Sequence, residues 1–335
     1  MNSMRRGLII IFCLVCVNLN MVYTQTDKNN TGRKKITIGL IGRIDTNLVS
    51  IAEYSGAQFA AKELGVKYKI DVAVDWTAPD IENVQGQAAA IERLIHSNAS
   101  GIAIACSDEK YLTPFIDEAV EKGIPMMCFD SDAPKSKRFA YYGADDIEFG
   151  KALMQQLADA IKGKGTIAVL AGNANALNQQ LRLKGIREEL KKYPNIKLPD
   201  DNVFHSIEIA DLSAGIVQRG QKSNPNIAGW VFLSSRVFQS NNPFPWKPGE
   251  VKIVASNAVP VQLEYIKNGF VQGLVAVNYF EKGYKAVEIM LENIVKNKVP
   301  KQPLMYCPIK TVTEKNVNEW SLNWNKWLKK EAVSH

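Results

Sequence analysis

Lys35-Ile36-Thr37-Ile38-Gly39-Leu40-Ile41-Gly42 is a dense apolar run of strand length, and the two segments after it set the architecture. Over residues 47–64 the apolar side chains Leu48, Ile51, Ala52, Phe59, Ala60 and Leu64 recur at helical spacing, and Gly65 is placed as a stop. Val66, Tyr68, Ile70, Val72 and Val74 then alternate strictly, the period of a second strand. A continuously apolar strand is buried on both faces, and a helix between two such strands is the unit of a parallel sheet.

The rhythm continues. Helices are expected at 82–97, 112–122, 147–161, 179–193, 212–222, 261–268 and 279–296. Strands are expected at 101–105, 124–129, 166–171, 203–207, 229–233, 251–255, 274–277 and 304–309. Ten or more strands exceed one open sheet, so the fold expected is α/β with two doubly wound parallel-sheet lobes. Ligands of such sheets bind beyond the carboxyl ends of the strands. Those positions carry Arg43 to Asn47, Ser107 to Lys110, Asp130-Ser131-Asp132, Asn173 to Asn178 leading to Arg182, Ser234-Ser235-Arg236, Ser256-Asn257 and Asn278. Loops are hydrophilic in general, but carboxylate, amide and guanidinium groups in this density suit a hydroxyl-rich ligand.

The chain has 335 residues, 46% hydrophobic and 22% charged, which is globular composition. Its net charge of +7 is spread among acids, so nucleic-acid binding is not expected. Arg5 and Arg6 precede an apolar run from Gly7 to Val17, and Val22-Tyr23-Thr24 is a weak cleavage site before Gln25. Residues 1–24 therefore read as a signal peptide and the destination as periplasmic or extracytoplasmic. About eleven apolar residues fall short of the roughly 20 that span a bilayer. Val15 before Cys16 argues against a lipid anchor. Residues 25–34 are polar and read as a flexible lead-in. Beyond the signal stand Cys106, Cys128 and Cys307, an odd number and no disulfide framework. Cys106 and Cys128 lie near the ends of two expected strands, either as a pair or as buried free thiols.

Enzyme signatures are missing. Gly39-Leu40-Ile41-Gly42 is not a dinucleotide fingerprint, Gly163-Lys164-Gly165-Thr166 is not a phosphate loop, and no GxSxG elbow occurs. Three histidines leave little for catalysis or zinc. Asp130-x-Asp132 alone is a thin metal site. No cofactor, metal or catalytic group is expected, and Asp130 reads as a hydroxyl acceptor.

Ile124-Pro125-Met126-Met127-Cys128-Phe129-Asp130-Ser131-Asp132, then Tyr142-Gly143-Ala144-Asp145-Asp146 and Gly150, resembles the periplasmic sugar-binding proteins of ABC transporters of the ribose-binding type. Asn195-Ile196-Lys197 and Asp211 to Gly215 fall in matching places, and the order of elements agrees from about residue 35 to 313. The aspartate-serine-aspartate variant resembles the autoinducer-2 and rhamnose-binding branch. The resemblance implies a type I periplasmic-binding-protein fold, two lobes joined by a hinge that the chain crosses three times. The crossings are expected near 133–142, 256–259 and 278–282. Lobe one then comprises 35–133 and 259–278, lobe two 142–256 and 282–313, and 314–335 form a C-terminal tail.

By motif position the resemblance implies that Asn47, Asp130, Asp132, Arg182, Ser235, Asn257 and Asn278 hold the ligand. Arg182 precedes Gly185 in an Arg-x-x-Gly pattern; the alternative is a solvated helix arginine. Asn47 is either a contact or a helix cap. Val49 and Ser50 stand where the family stacks sugar rings on aromatics, and Phe244 or Trp246 is either a replacement stacking face or lid packing. The protein implied is an exported, non-catalytic, monomeric solute-binding protein that clamps a sugar or sugar-like polyol and hands it to an ABC permease. The rival readings are an extracytoplasmic sensor that presents ligand to a membrane histidine kinase or chemoreceptor, and a secreted α/β enzyme.

Overall fold

The computed structural model describes residues 32–328. The expected signal peptide and nearly all of the lead-in lie outside them. The strands are β1 (Lys35–Ile41), β2 (Asp71–Thr77), β3 (Gly101–Ile104), β4 (Met126–Phe129), β5 (Ala140–Gly143), β6 (Gly165–Ala171), β7 (Ile196–Lys197), β8 (Val203–His205), β9 (Ile227–Phe232), β10 (Lys252–Ser256), β11 (Val271–Ala276), β12 (Leu304–Tyr306) and β13 (Lys310–Val312). The helices are α1 (Leu48–Tyr68), α2 (Val84–His96), α3 (Glu109–Glu121), α4 (Asp146–Ala160), α5 (Leu177–Leu190), α6 (Ala210–Ser223), α7 (Pro260–Lys267), α8 (Tyr279–Lys296) and α9 (Val317–Leu328).

They build two sheets, one per lobe. The first runs β12-β5-β4-β3-β1-β2 and is parallel throughout. The second runs β13-β11-β10-β9-β6-β7, with β8 also on β6, and is parallel except for β13. Alternation explains the continuously apolar strands. Ala103, Met127 and Phe129 join the core under α1 and α8, while Ile102, Ile104, Met126 and Cys128 join a second core under α2 and α3.

Several boundaries depart from the sequence reading. Gly65 does not stop α1, which continues to Tyr68 and is capped by Lys69 at φ 57°, whose N–H reaches the carbonyls of Gly65 and Val66. The alternating run 66–74 therefore spans a helix end and an edge strand, with Val66 70% exposed. β5 is an additional strand, and the expected strand 304–309 is two strands, β12 and β13, in different sheets.

These departures move the lobe boundaries. β11 pairs with β10 in the second sheet, so residues 259–278 belong with lobe two, not lobe one. Helix α8 packs on α1, β3 and β4, so the segment after 278 returns to lobe one, and β12 stays there. The three passages between sheets lie at 144–145, 277–278 and 307–309. Ser256–Val259 is not a crossing, because α7 joins two neighbouring strands of one sheet. The expected tail contains α9, which packs on α1 of lobe one and α7 of lobe two. Its Trp320 and Trp324 indoles both donate to the Ala258 carbonyl, at 2.9 and 2.6 Å.

Two helix pairs cross with no room for a side chain. A Cβ on Gly283 would lie 1.7 Å from the Glu53 carbonyl oxygen, and one on Gly56 1.9 Å from that of Phe280. In lobe two a Cβ on Gly150 would lie 2.0 Å from the Arg182 carbonyl oxygen, and one on Gly185 2.1 Å from that of Ile147. Such backbone atoms cannot step aside without moving the helix. Gly283→Val should therefore lower stability by about 3 kcal/mol, a fall of roughly 6–12 °C in Tm. Scanning calorimetry measures it, and an unchanged Tm would mean that α1 and α8 slide apart freely.

Candidate functional site

Between the strand ends of the two sheets lies a cavity with room for water centres of about 70 Å³. That is more than a single water needs and suits one small ligand. Asn47, Asp130, Arg182, Ser235 and Asn257 line it. Asp132 and Asn278 do not. The chain turns at Asp130, whose φ is 58°, and sends Asp132 the other way, where it pairs with the Arg138 guanidinium and accepts from the Ala133 N–H at 2.8 Å. Asn278 caps α8 by accepting from Glu281 N–H at 3.0 Å, and faces a separate hollow beside α9. Asn47 does both things at once: it accepts from Val49 N–H at 3.1 Å and lines the cavity.

The sequence reading missed Glu53, Glu208, Tyr279 and Lys282, and placed Arg43 and Asn178 in the polar series at strand ends without naming them as ligand contacts; all six line the cavity. The signal for two of them was present. Glu53-x-x-Gly56 on α1 and Lys282-Gly283 on α8 repeat the logic of Arg182-x-x-Gly185, a functional side chain next to the glycine that lets two helices touch. Lys282 Nζ lies 2.7 Å from Glu53 Oε1 and also bonds Asp130 Oδ1. In lobe two, Arg182 Nε donates to Asp146 Oδ1 at 2.7 Å, and its guanidinium lies 4.1 Å above the Phe149 ring. Arg43 donates to Glu82 at 2.7 Å, and Ser234 donates to Glu208 at 2.5 Å. Gly172 makes room for that carboxylate, since a Cβ there would lie 2.0 Å from Glu208 Oε1.

Three cavity residues, Asp130, Glu208 and Asn257, hold left-handed backbone at φ 58°, 62° and 68°. That conformation is uncommon outside glycine and is retained where the surroundings enforce it. Here it turns polar side chains inward at strand ends. Across the cleft mouth, Asn173 donates to the Ser107 carbonyl at 3.1 Å and Arg236 to Thr46 Oγ1 at 3.4 Å. Tyr279 donates to Asn257 Oδ1 at 3.4 Å.

Phe244 and Trp246 do not replace the missing stacking ring. Phe244 stacks on Phe232 at 5.8 Å and on Trp246 at 5.4 Å, inside a lobe-two cluster with Phe238, Tyr265 and Phe270. Cys106 and Cys128 are buried neighbours with sulfurs 3.8 Å apart, and both are free thiols.

Burial raises the Glu53 carboxyl to about 7 against the pull of Lys282, and Asp146 to about 6 against Arg182. Asp130 is also penalised by burial, yet Lys282, Arg43 and Arg182 hold it below its ordinary value. Burial likewise raises Glu208.

Two sheets with a charged cavity between their strand ends define a two-lobed ligand clamp. The periplasmic binding protein domain family matches residues 50–298, and the chain belongs to that family. It is 24% identical over 259 residues to the D-allose-binding periplasmic protein of Escherichia coli, covering 71% of this chain and 78% of that one. It is 29% identical over 128 residues to the xylitol-binding protein of Mycolicibacterium smegmatis, 38% of this chain and about a third (36%) of that relative's length. An ABC transporter solute-binding protein from Burkholderia graminis, solved with D-arabinose, superposes with a TM-score of 0.76 at 25% identity over 85% of this chain and 97% of that one.

The raised carboxyls fix a pH trend. Relative to the unfolded chain, Glu53 and Asp146 retain protons between their ordinary carboxyl range and about 7 and 6. This contribution to stability is complete at the acid end and is lost as pH rises through those values. Tm should therefore fall between pH 5 and pH 8, and Glu53→Gln should flatten the upper part of the fall. Calorimetry across that range checks both.

Proposed function

We propose that the protein is an exported, monomeric solute-binding protein that clamps one small sugar or polyol between its lobes and delivers it, unchanged, to an ABC importer. The observation that carries this reading is the meeting of Asp130 and Arg182 in one cavity from opposite lobes. Arg182 uses Nε for Asp146, and its two terminal nitrogens remain for a ligand. Asp130 gives Oδ1 to Lys282 and keeps a second carboxylate oxygen. A single hydroxylated molecule can donate to the carboxylate and accept from the guanidinium, and so tie the lobes together. Ligand then favours the closed state by the contacts that exist only there.

The families of the relatives and the named sugar ligands of neighbouring structures agree with this reading. The expected export signal, residues 1–24, lies outside the described residues, and extracytoplasmic location rests on the family and on that stretch of sequence.

Calorimetric titration against sugars and polyols, followed by mass analysis of the recovered ligand, tests the proposal. Asp130→Ala and Arg182→Ala should each weaken binding about ten- to a hundred-fold, the cost of a desolvated ligand group left unpaired. Asp132→Ala should leave affinity unchanged while costing stability, about 1–3 kcal/mol, because it leaves the half-buried Arg138 without its carboxylate. Wild-type affinity in both cavity variants, or conversion of the bound ligand, would overturn the reading.

A further inference from the structure

Resting on the reading of the cavity as a hydroxyl-binding site, we infer that its preferred ligand is an acyclic polyol, an alditol of about five carbons, rather than a sugar in its pyranose ring. A pyranose carries C–H faces above and below its equatorial hydroxyls, and aromatic side chains are the natural cover for them. Phe149 and Tyr279 are the aromatic residues lining this cavity, and each is 2% exposed. The Phe149 ring is occupied by the Arg182 guanidinium at 4.1 Å. The Tyr279 ring has Lys282 Nζ at 5.2 Å and packs on Trp324 and Trp327 at 5.6 and 5.9 Å. Val49 and Ser50 line the wall at the start of α1, and Phe244 and Trp246 belong to the lobe-two core. Among the described residues that line the cavity, no aromatic ring stands without a cation or another ring against it.

The walls instead carry polar groups from both lobes. Arg43, Asn47 and Asp130 face the cavity from lobe one, and Asn178, Arg182 and Asn257 from lobe two. Asn178 Oδ1 is buried and without a hydrogen-bond partner, an acceptor in place for a ligand hydroxyl. A ring fixes its hydroxyls around one mean plane. An open chain rotates about each C–C bond and can send successive hydroxyls to opposite lobes, meeting donors and acceptors on both.

The test is titration of the purified protein with xylitol, D-arabinitol, ribitol and sorbitol and, in parallel, with D-xylose, D-arabinose, D-ribose and D-glucose. The best alditol should bind at least tenfold more tightly than the best aldose. An aldose that binds as tightly as every alditol, or more tightly, overturns this inference and leaves the hydroxyl-binding site intact. Binding by none of the eight overturns the hydroxyl-binding reading, and this inference with it.

Discussion

Two pairs of helices approach until backbone touches backbone, and each contact sets a buried charge at the mouth of a strand. Gly56 and Gly283 let α1 and α8 meet in lobe one, and Gly150 and Gly185 do the same for α4 and α5 in lobe two. In each pair the charged residues sit within a turn of the glycines, so the crossing dictates where they point. Lys282 is carried between Glu53 and Asp130, and Arg182 is carried to Asp146. Ions this deeply buried persist only when geometry supplies partners. A wider crossing would pull Lys282 away from Glu53 and leave two charges without compensation. The small residue and the large charged one are therefore one structural unit, used once in each lobe.

The pairing also bears on how a clamp can open. Lys282, Glu53 and Asp130 all belong to lobe one, as do Arg43 and Glu82; Arg182 and Asp146, and Ser234 and Glu208, belong to lobe two. Separation of the lobes strands none of these charges. What changes on opening is the cross-cleft set, Asn173 to Ser107 and Arg236 to Thr46, and the longer-range attractions of Arg43 for Glu208 and of Arg182 for Asp130. The cost of opening is kept small because the strong interactions are internal to a lobe. A bridging ligand can then decide the equilibrium with a few hydrogen bonds, since only differential affinity shifts it.

Period and composition made the core readable. Strands buried on both faces and helices with one apolar stripe appear directly in the sequence, and α8 occupies the residues that its spacing predicts, 279–296. Lobe membership was not readable, because local pattern says nothing about which sheet a strand joins. β11 and β12 look alike as short apolar runs, and their neighbours in space differ only through α7 and α8. Among site residues, Asp130 and Arg182 were legible because a strand end and a helix glycine mark them. Asp132 was not separable from Asp130 by sequence, since the difference is a left-handed turn at one residue. Glu53 and Lys282 looked like ordinary charges on helix surfaces. Their burial is a product of the α1–α8 crossing, which joins residues more than two hundred positions apart.

The last helix explains how the cavity floor keeps its shape through such a motion. Trp320 and Trp324 of α9 hold the Ala258 carbonyl, one residue beyond Asn257, and Trp324 and Trp327 pack on Tyr279. Asn257 and Tyr279 are bonded to each other and line the cavity, so α9 braces the floor from behind. Its indole hydrogen bonds go to Ala258 of lobe two, whereas α1 of lobe one meets it by packing. Directional bonds resist displacement, and apolar contact between helices tolerates small sliding. On opening, α9 should travel with lobe two and slide on α1. The strained turn at Asn257 then stays fixed to the lobe that supplies Arg182, and the ligand groups of lobe two move as one body.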